Sequence, residues 1–140
     1  MVNGFTPRAF AFFRELAANN TREFWLANRA VWERSVRAPM RALLDALDPD
    51  PAAFRVFRPN RDLRFSPDKS PYKTMHGAGA TSPGGTVRYV HVSADGLFIA
   101  SGCHMPARDQ IARLREAVAD DEAGPALEAL LRKLERTGLE

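Results

Sequence analysis

The chain has 140 residues, 45% hydrophobic and 26% charged, with 20 basic and 17 acidic side chains and a net charge of +3. That length predicts one domain over residues 1–140, able to withdraw roughly two-thirds of its unfolded surface from water, and the balance of residue types excludes a disordered or fibrous chain. No apolar run approaches the roughly 18 residues of a membrane span, the N-terminus lacks the charged-then-apolar order of a secretory signal, and Cys103 is the only cysteine, so a reducing cytoplasm with no membrane partner and no internal disulfide is expected.

Thr6-Pro7 reads as a helix N-cap followed by proline at the first helical position, where a missing N–H costs nothing. Phe5 and Phe10 have the spacing of a hydrophobic staple. Phe10, Phe13, Leu16 and Ala17 then give the first helix one apolar face. Asn19 is expected to end it in the left-handed conformation, and Asn20 with Glu23 resembles the capping box of a second helix. That helix carries Phe24, Trp25, Val31, Trp32 and Val36, with Arg22, Arg29, Arg34 and Arg37 on other faces. Trp25 and Trp32, seven residues apart, read as core and not as a ligand cage. Pro39 kinks or restarts the helix, and Leu43, Leu44 and Leu47 extend the apolar stripe to a turn at Asp48-Pro49-Asp50-Pro51.

From Phe54 to Phe57 the residues are aromatic and β-branched, which predicts a short strand. The stretch that follows holds most of the charge. From Arg55 to Lys73 six basic side chains (Arg55, Arg58, Arg61, Arg64, Lys69, Lys73) stand against Asp62 and Asp68, a local balance of +4 that leaves the remainder of the chain close to neutral. Pro67 and Pro71 exclude a continuous helix there, so an ordered loop is expected. The segment from Gly77 to Gly85 reads as a flexible connection, because its glycines lack the spacing of a phosphate-cradling loop.

Residues 86–93 and 97–101 predict a hairpin joined at Asp95-Gly96. With those two residues as the whole loop, Val92 faces Ile99 and Val90 faces Ser101. Val90, Val92, Ala94, Leu97 and Ile99 then form a buried face, while Tyr89, His91 and Phe98 share the other, which borders the basic loop. Pro106 opens a helix with Ile111, Leu114 and Val118, and after Asp120-Asp121-Glu122 a last helix presents Leu127, Leu130, Leu131 and Leu134. Helices, then strands, then helices make the fold α+β, with N-terminal helices, a central antiparallel hairpin or sheet, and C-terminal helices.

The order Arg58-x-x-Arg61-Asp62-x-Arg64-Phe65-x-x-Asp68-Lys69-x-x-Tyr72 resembles the signature of the DUF2461 family, conserved hypothetical proteins that carry a domain of unknown function. Phe13-x-x-Leu16-x-x-Asn19-Asn20 with Trp25, and the Tyr89 strand followed by Gly102, Met105-Pro106 and Leu114-Arg115, extend the likeness over most of the chain. The resemblance implies a fold and a region of interest and lends no reaction. It also implies that the chain corresponds to the N-terminal and central part of the family domain, with its usual C-terminal part absent. Cys103-His104 stands where the family pattern has a large residue after the glycine.

Function is therefore read from residue types. Arginine offers a planar fork of donors to phosphate or carboxylate, and lysine adds point charges. In the leading reading Arg58, Arg61, Arg64, Lys69 and Lys73 hold a small anionic ligand, Asp62 orients a guanidinium beside Asp68, and Tyr72 donates a neutral bond. A second reading makes the same residues a structural ion-pair lattice without a ligand. A third is nucleic-acid binding, with Phe65 and Tyr72 stacking on bases. A fourth is a metal-dependent hydrolase built on Asp62 and Asp68, with His76, His91 or His104 nearby in sequence, although no pair has a metal-ligand spacing and no metal site is assigned. Cys103-His104 reads as a small apolar residue beside an independent histidine, since neighbours on a strand end point apart. The sequence assigns no catalytic residue, cofactor or oligomeric state.

Overall fold

In the computed structural model, which describes residues 4–47 and 53–138, helix α1 (Pro7–Ala18) opens where Thr6 and Pro7 predict it. Thr6 is extended, and its carbonyl accepts from the Ala9 N–H at 2.9 Å. Phe5 and Phe10 both pack against the core, as a staple requires. The helix stops without a left-handed residue, because Asn19 lies at φ −143, ψ 70 with its N–H still bonded to Glu15. Thr21, not Asn20, caps α2 (Arg22–Trp32), its hydroxyl accepting from the Phe24 N–H at 3.2 Å. A two-residue linker of Asn19 and Asn20 leaves room for that cap and frees Asn20 for another task.

Pro39 neither breaks the helix nor restarts it after a gap. A π-helical turn, Glu33–Arg37, leads straight into α3 (Ala38–Leu47). A proline lacks the N–H for the usual i−4 bond and its ring crowds that carbonyl, and a wider turn ahead of it relieves both problems. The turn expected at Asp48-Pro49-Asp50-Pro51 lies outside the described residues.

A four-stranded antiparallel sheet follows in the order β1-β2-β3-β4, with β1 Arg55–Val56, β2 Met75–Thr81, β3 Thr86–Ser93 and β4 Gly96–Cys103. Strand β2 corrects the expectation of a flexible connection from Gly77. A Cβ at Gly77 would lie 2.8 Å from the Val90 carbonyl oxygen and 2.9 Å from the His91 Cβ. The glycine thus serves close approach of neighbouring strands, and not a loop. The connection shrinks to Ser82–Gly85, where Gly85 at φ 85 donates to the Ser82 carbonyl at 2.9 Å.

The second hairpin turns at Ala94-Asp95, one position earlier than expected, with Ser93 paired to Gly96, Val92 to Leu97 and Val90 to Ile99. Gly96, at φ 130, supplies the positive dihedral just after the two turn residues. The register moves by two residues, so the faces stay as expected. Tyr89, His91 and Phe98 do meet, with ring centroids 5.1 to 6.2 Å apart. The opposite face is only half as buried as expected. Val90 and Val92 are buried against the helices, but Leu97 and Ile99 are exposed, because β4 is the edge strand and α1 packs against β3.

The core gathers Phe12, Phe13, Leu16, Trp25, Trp32, Val36, Met40 and Leu44 from the helices with Ala78, Ala80, Val90 and Val92 from the sheet. All of it belongs to one compact unit, residues 1–103, while residues 104–140 form a second. The second unit is a helical pair, α4 (Arg108–Ala119) and α5 (Ala123–Glu135). Pro106 precedes α4 by two residues instead of opening it, and the carboxylate of Asp120 caps α5 by accepting from the Glu122 and Ala123 N–H groups at 3.0 and 2.8 Å. Among the described residues neither α4 nor α5 contains a buried side chain. The fold is α+β, and no described helix is long and apolar enough to cross a membrane.

Candidate functional site

The basic stretch is a loop pinched shut at its base. Asn60 and Tyr72 form an antiparallel bridge, the Lys73 N–H donates to the Pro59 carbonyl, and the Arg61 N–H donates to the Pro71 carbonyl, both at 2.9 Å. Inside it the acids are matched to the arginines. Arg61 pairs with Asp68, and Arg64 clasps Asp62 through Nε and Nη2 at 3.0 and 2.7 Å. Hydrogen bonds from Arg64 hold the Asp62 carboxyl below the usual carboxylate range, and the Ser70 N–H does the same for Asp68, with Arg61 adding its charge. Lys69 donates to the Leu63 carbonyl at 2.9 Å. Phe65 is almost fully exposed, at 92%, with the Arg64 guanidinium over its ring.

Tyr72 and Asn20 fasten this loop to the helices. The Tyr72 ring is buried and stacks on Trp25 at 4.4 Å and 11°. Asn20 donates through Nδ2 to the Tyr72 carbonyl at 2.8 Å and accepts from the Tyr72 N–H at 3.1 Å. One side-chain amide thus satisfies both main-chain groups of a residue 52 positions away. Asn20→Ala is expected to cost about 1–3 kcal/mol, because two part-buried main-chain groups lose their partner. Urea unfolding of the variant checks this, and an unchanged midpoint would show that water replaces the amide.

Arg58, ahead of the loop, borders a cleft. Its volume is about 460 Å³, and it is lined by Trp25, Arg29, Trp32, Glu33, Arg37 and Arg41 on the helical side and by Val56, Phe57, Arg58, Pro59, Asn60 and His76 on the other. Among the described residues Glu33 is the one carboxylate lining it, and Arg37 Nη1 donates to its two oxygens at 2.9 and 3.0 Å while lying over the Trp32 ring at 5.7 Å. Among the described residues Arg29, Arg41 and Arg58 have no ion-pair partner. Lys73 sits over the Phe57 ring at 5.8 Å, and Phe57 in turn meets Tyr89, so the loop base and the aromatic sheet face do adjoin.

His76 is 3% exposed and meets Trp32 edge-on at 5.2 Å. Burial, followed by the positive charges of Arg37 and Lys73 and opposed by Glu33, pushes its pKa down to about 4, so the imidazole is neutral near pH 7. Its buried Nε2 has no hydrogen-bond partner among the described residues. Such a group normally finds one.

Of the residues singled out from the sequence, Arg58 lines the cleft and Lys73 lies near His76, while Arg61, Asp62, Arg64, Asp68 and Lys69 bond among themselves and with the loop backbone, and Tyr72 is packed inside. Sequence reasoning missed Arg29, Arg37 and Arg41 as site residues and named His76 only beside a possible metal pair. The four-residue steps of Arg29, Glu33, Arg37 and Arg41 were the signal available. Among the described residues no three His, Cys, Asp or Glu side chains cluster as metal ligands would. Cys103 is exposed.

A family model described as conserved hypothetical protein (DUF2461) matches residues 8–139. No curated protein and no solved structure matches the chain.

Proposed function

The chain belongs to the DUF2461 family of conserved hypothetical proteins, and we propose that it binds a ligand bearing phosphate or carboxylate groups in the cleft that Arg58 shares with Arg29, Arg37 and Arg41. The carrying observation is the imbalance there, four guanidinium groups to one carboxylate among the described residues around a cavity whose wall also includes the buried His76. Like charges gathered around one cavity repel, and an anion held by charge-assisted hydrogen bonds removes that repulsion. Arg61, Asp62, Arg64, Asp68 and Lys69 act as bracing that keeps the loop folded, and Tyr72 anchors it, so that Arg58 and Lys73 are presented at its base. A purely structural lattice explains the pairs inside the loop, where the Arg58 charge also acts on Asp62, but leaves Arg29 and Arg41 without a role.

Thermal-shift and calorimetric titration with phosphate and citrate at low and high salt tests the reading. A specific anion at about 100 times its Kd should stabilise the fold by about 2.7 kcal/mol. Arg58→Ala is expected to weaken the anion roughly 10- to 100-fold, as loss of a hydrogen bond between charged groups does, and to leave the melting temperature without anion little changed, since the side chain is exposed and has no ion-pair partner among the described residues. If no anion raises the melting temperature of the wild type, the proposal falls.

A further inference from the structure

The cleft's shape and its occupied aromatic rings narrow the ligand further. Arg29 and Arg41 lie twelve residues apart on one continuous helical run, α2 through α3, with Arg37 between them. At about 1.5 Å of rise per residue the row is about 18 Å long. One phosphate engages one or two guanidinium forks, so a row of that length calls for negative charge at several points along a chain. The volume of about 460 Å³ falls in the range of small-molecule sites. The rings in the wall are already engaged. Trp25 is stacked on Tyr72, Trp32 has the Arg37 guanidinium over its ring and meets His76 edge-on, and Phe57 has Lys73 over its ring. Among the described residues each of these rings thus already has a partner, unlike the open stacking platforms that hold single-stranded nucleic acid.

We infer that the ligand is a linear oligophosphate, a chain of phosphoanhydride-linked phosphates lying along the arginine row with Arg58 closing over it from the loop base. This inference rests on the anion-binding reading and specifies its ligand. The His76 imidazole stands in the cleft wall as a buried, neutral group and adds no charge of its own beside the arginines.

Calorimetric titration of the intact chain with orthophosphate, pyrophosphate and tripolyphosphate at constant ionic strength tests it, with a single-stranded oligothymidylate as the competing polyanion. Affinity should rise about tenfold or more with each added phosphate, and Arg29→Ala and Arg41→Ala should each lower tripolyphosphate affinity by a larger factor than orthophosphate affinity. Circular dichroism of both variants should match the wild type, since both side chains are exposed. Equal affinity for all three phosphates overturns the oligophosphate assignment and leaves anion binding standing. Oligothymidylate binding tighter than tripolyphosphate overturns it in favour of nucleic acid. No binding by any of them removes both readings.

Discussion

Replacing Trp25 with alanine is expected to lower the unfolding free energy by about 3–5 kcal/mol, a large part of what a domain of this size holds in reserve. Its indole touches three separate parts of the first unit, with ring centroids 6.1 Å from Phe12 in α1, 5.1 Å from Trp32 and 4.4 Å from Tyr72 at the loop base. Alanine would remove the transfer free energy of the ring and leave a void that α1, α2 and the loop cannot all close upon at once. The Tyr72 ring would lose its stacking partner as well. The variant should therefore weaken anion binding beyond its effect on stability, because Trp25 itself lines the cleft and Arg58 reaches it from that same loop base. Urea unfolding followed by far-ultraviolet circular dichroism measures the first effect. A loss below about 1 kcal/mol would mean that the indole is not the packing centre described above.

Acid should destabilise the fold through His76 before most carboxylates titrate. An unfolded histidine binds its proton near pH 6.5, whereas folded His76 does so only near pH 4. Above about pH 6.5 the group is neutral in both states and contributes nothing to the pH dependence. Between the two values the unfolded chain carries a proton that the folded chain refuses, so stability falls as pH falls. At about 1.4 kcal/mol per pH unit the loss approaches about 3 kcal/mol by pH 4, below which both states are protonated. His91, also lowered by burial, adds in the same direction, whereas Asp62 and Asp68, held below the carboxylate range, contribute only at the acid extreme. Urea midpoints taken between about pH 7.5 and 4.5 should slope downward in the wild type and flatten in His76→Leu. Parallel slopes in the two proteins would assign the acid lability to other groups.

Local signals carried much of the fold. Thr6-Pro7 marks the start of α1 because proline geometry acts on its nearest neighbours, and the alternation in residues 86–93 marks a strand for the same reason. What escaped was set by distant partners. Gly77 looks like a loop residue until the Val90 carbonyl is placed 2.8 Å from its missing Cβ. Asn20 looks like a cap until Tyr72 is brought to it from 52 residues away. Asp62 and Asp68 were legible as partners for arginines, but the pairing of Arg61 and Arg64 with them, and the place of Arg58 in a cleft with arginines of another element, depend on the folded chain.

The π turn ahead of Pro39 also sets the angular phase of the guanidinium groups. On a regular α-helix, at about 100° per residue, Arg41 would point about 120° away from Arg29, and Arg37 about 80° away. A single wide turn absorbs roughly one residue, winding the following segment back by about 100° and bringing all three within about 20° of a common azimuth. Without that slip in winding the two ends of the row would address different sides of the helix. A proline that looks like a helix defect is thus what lets three arginines share one cleft.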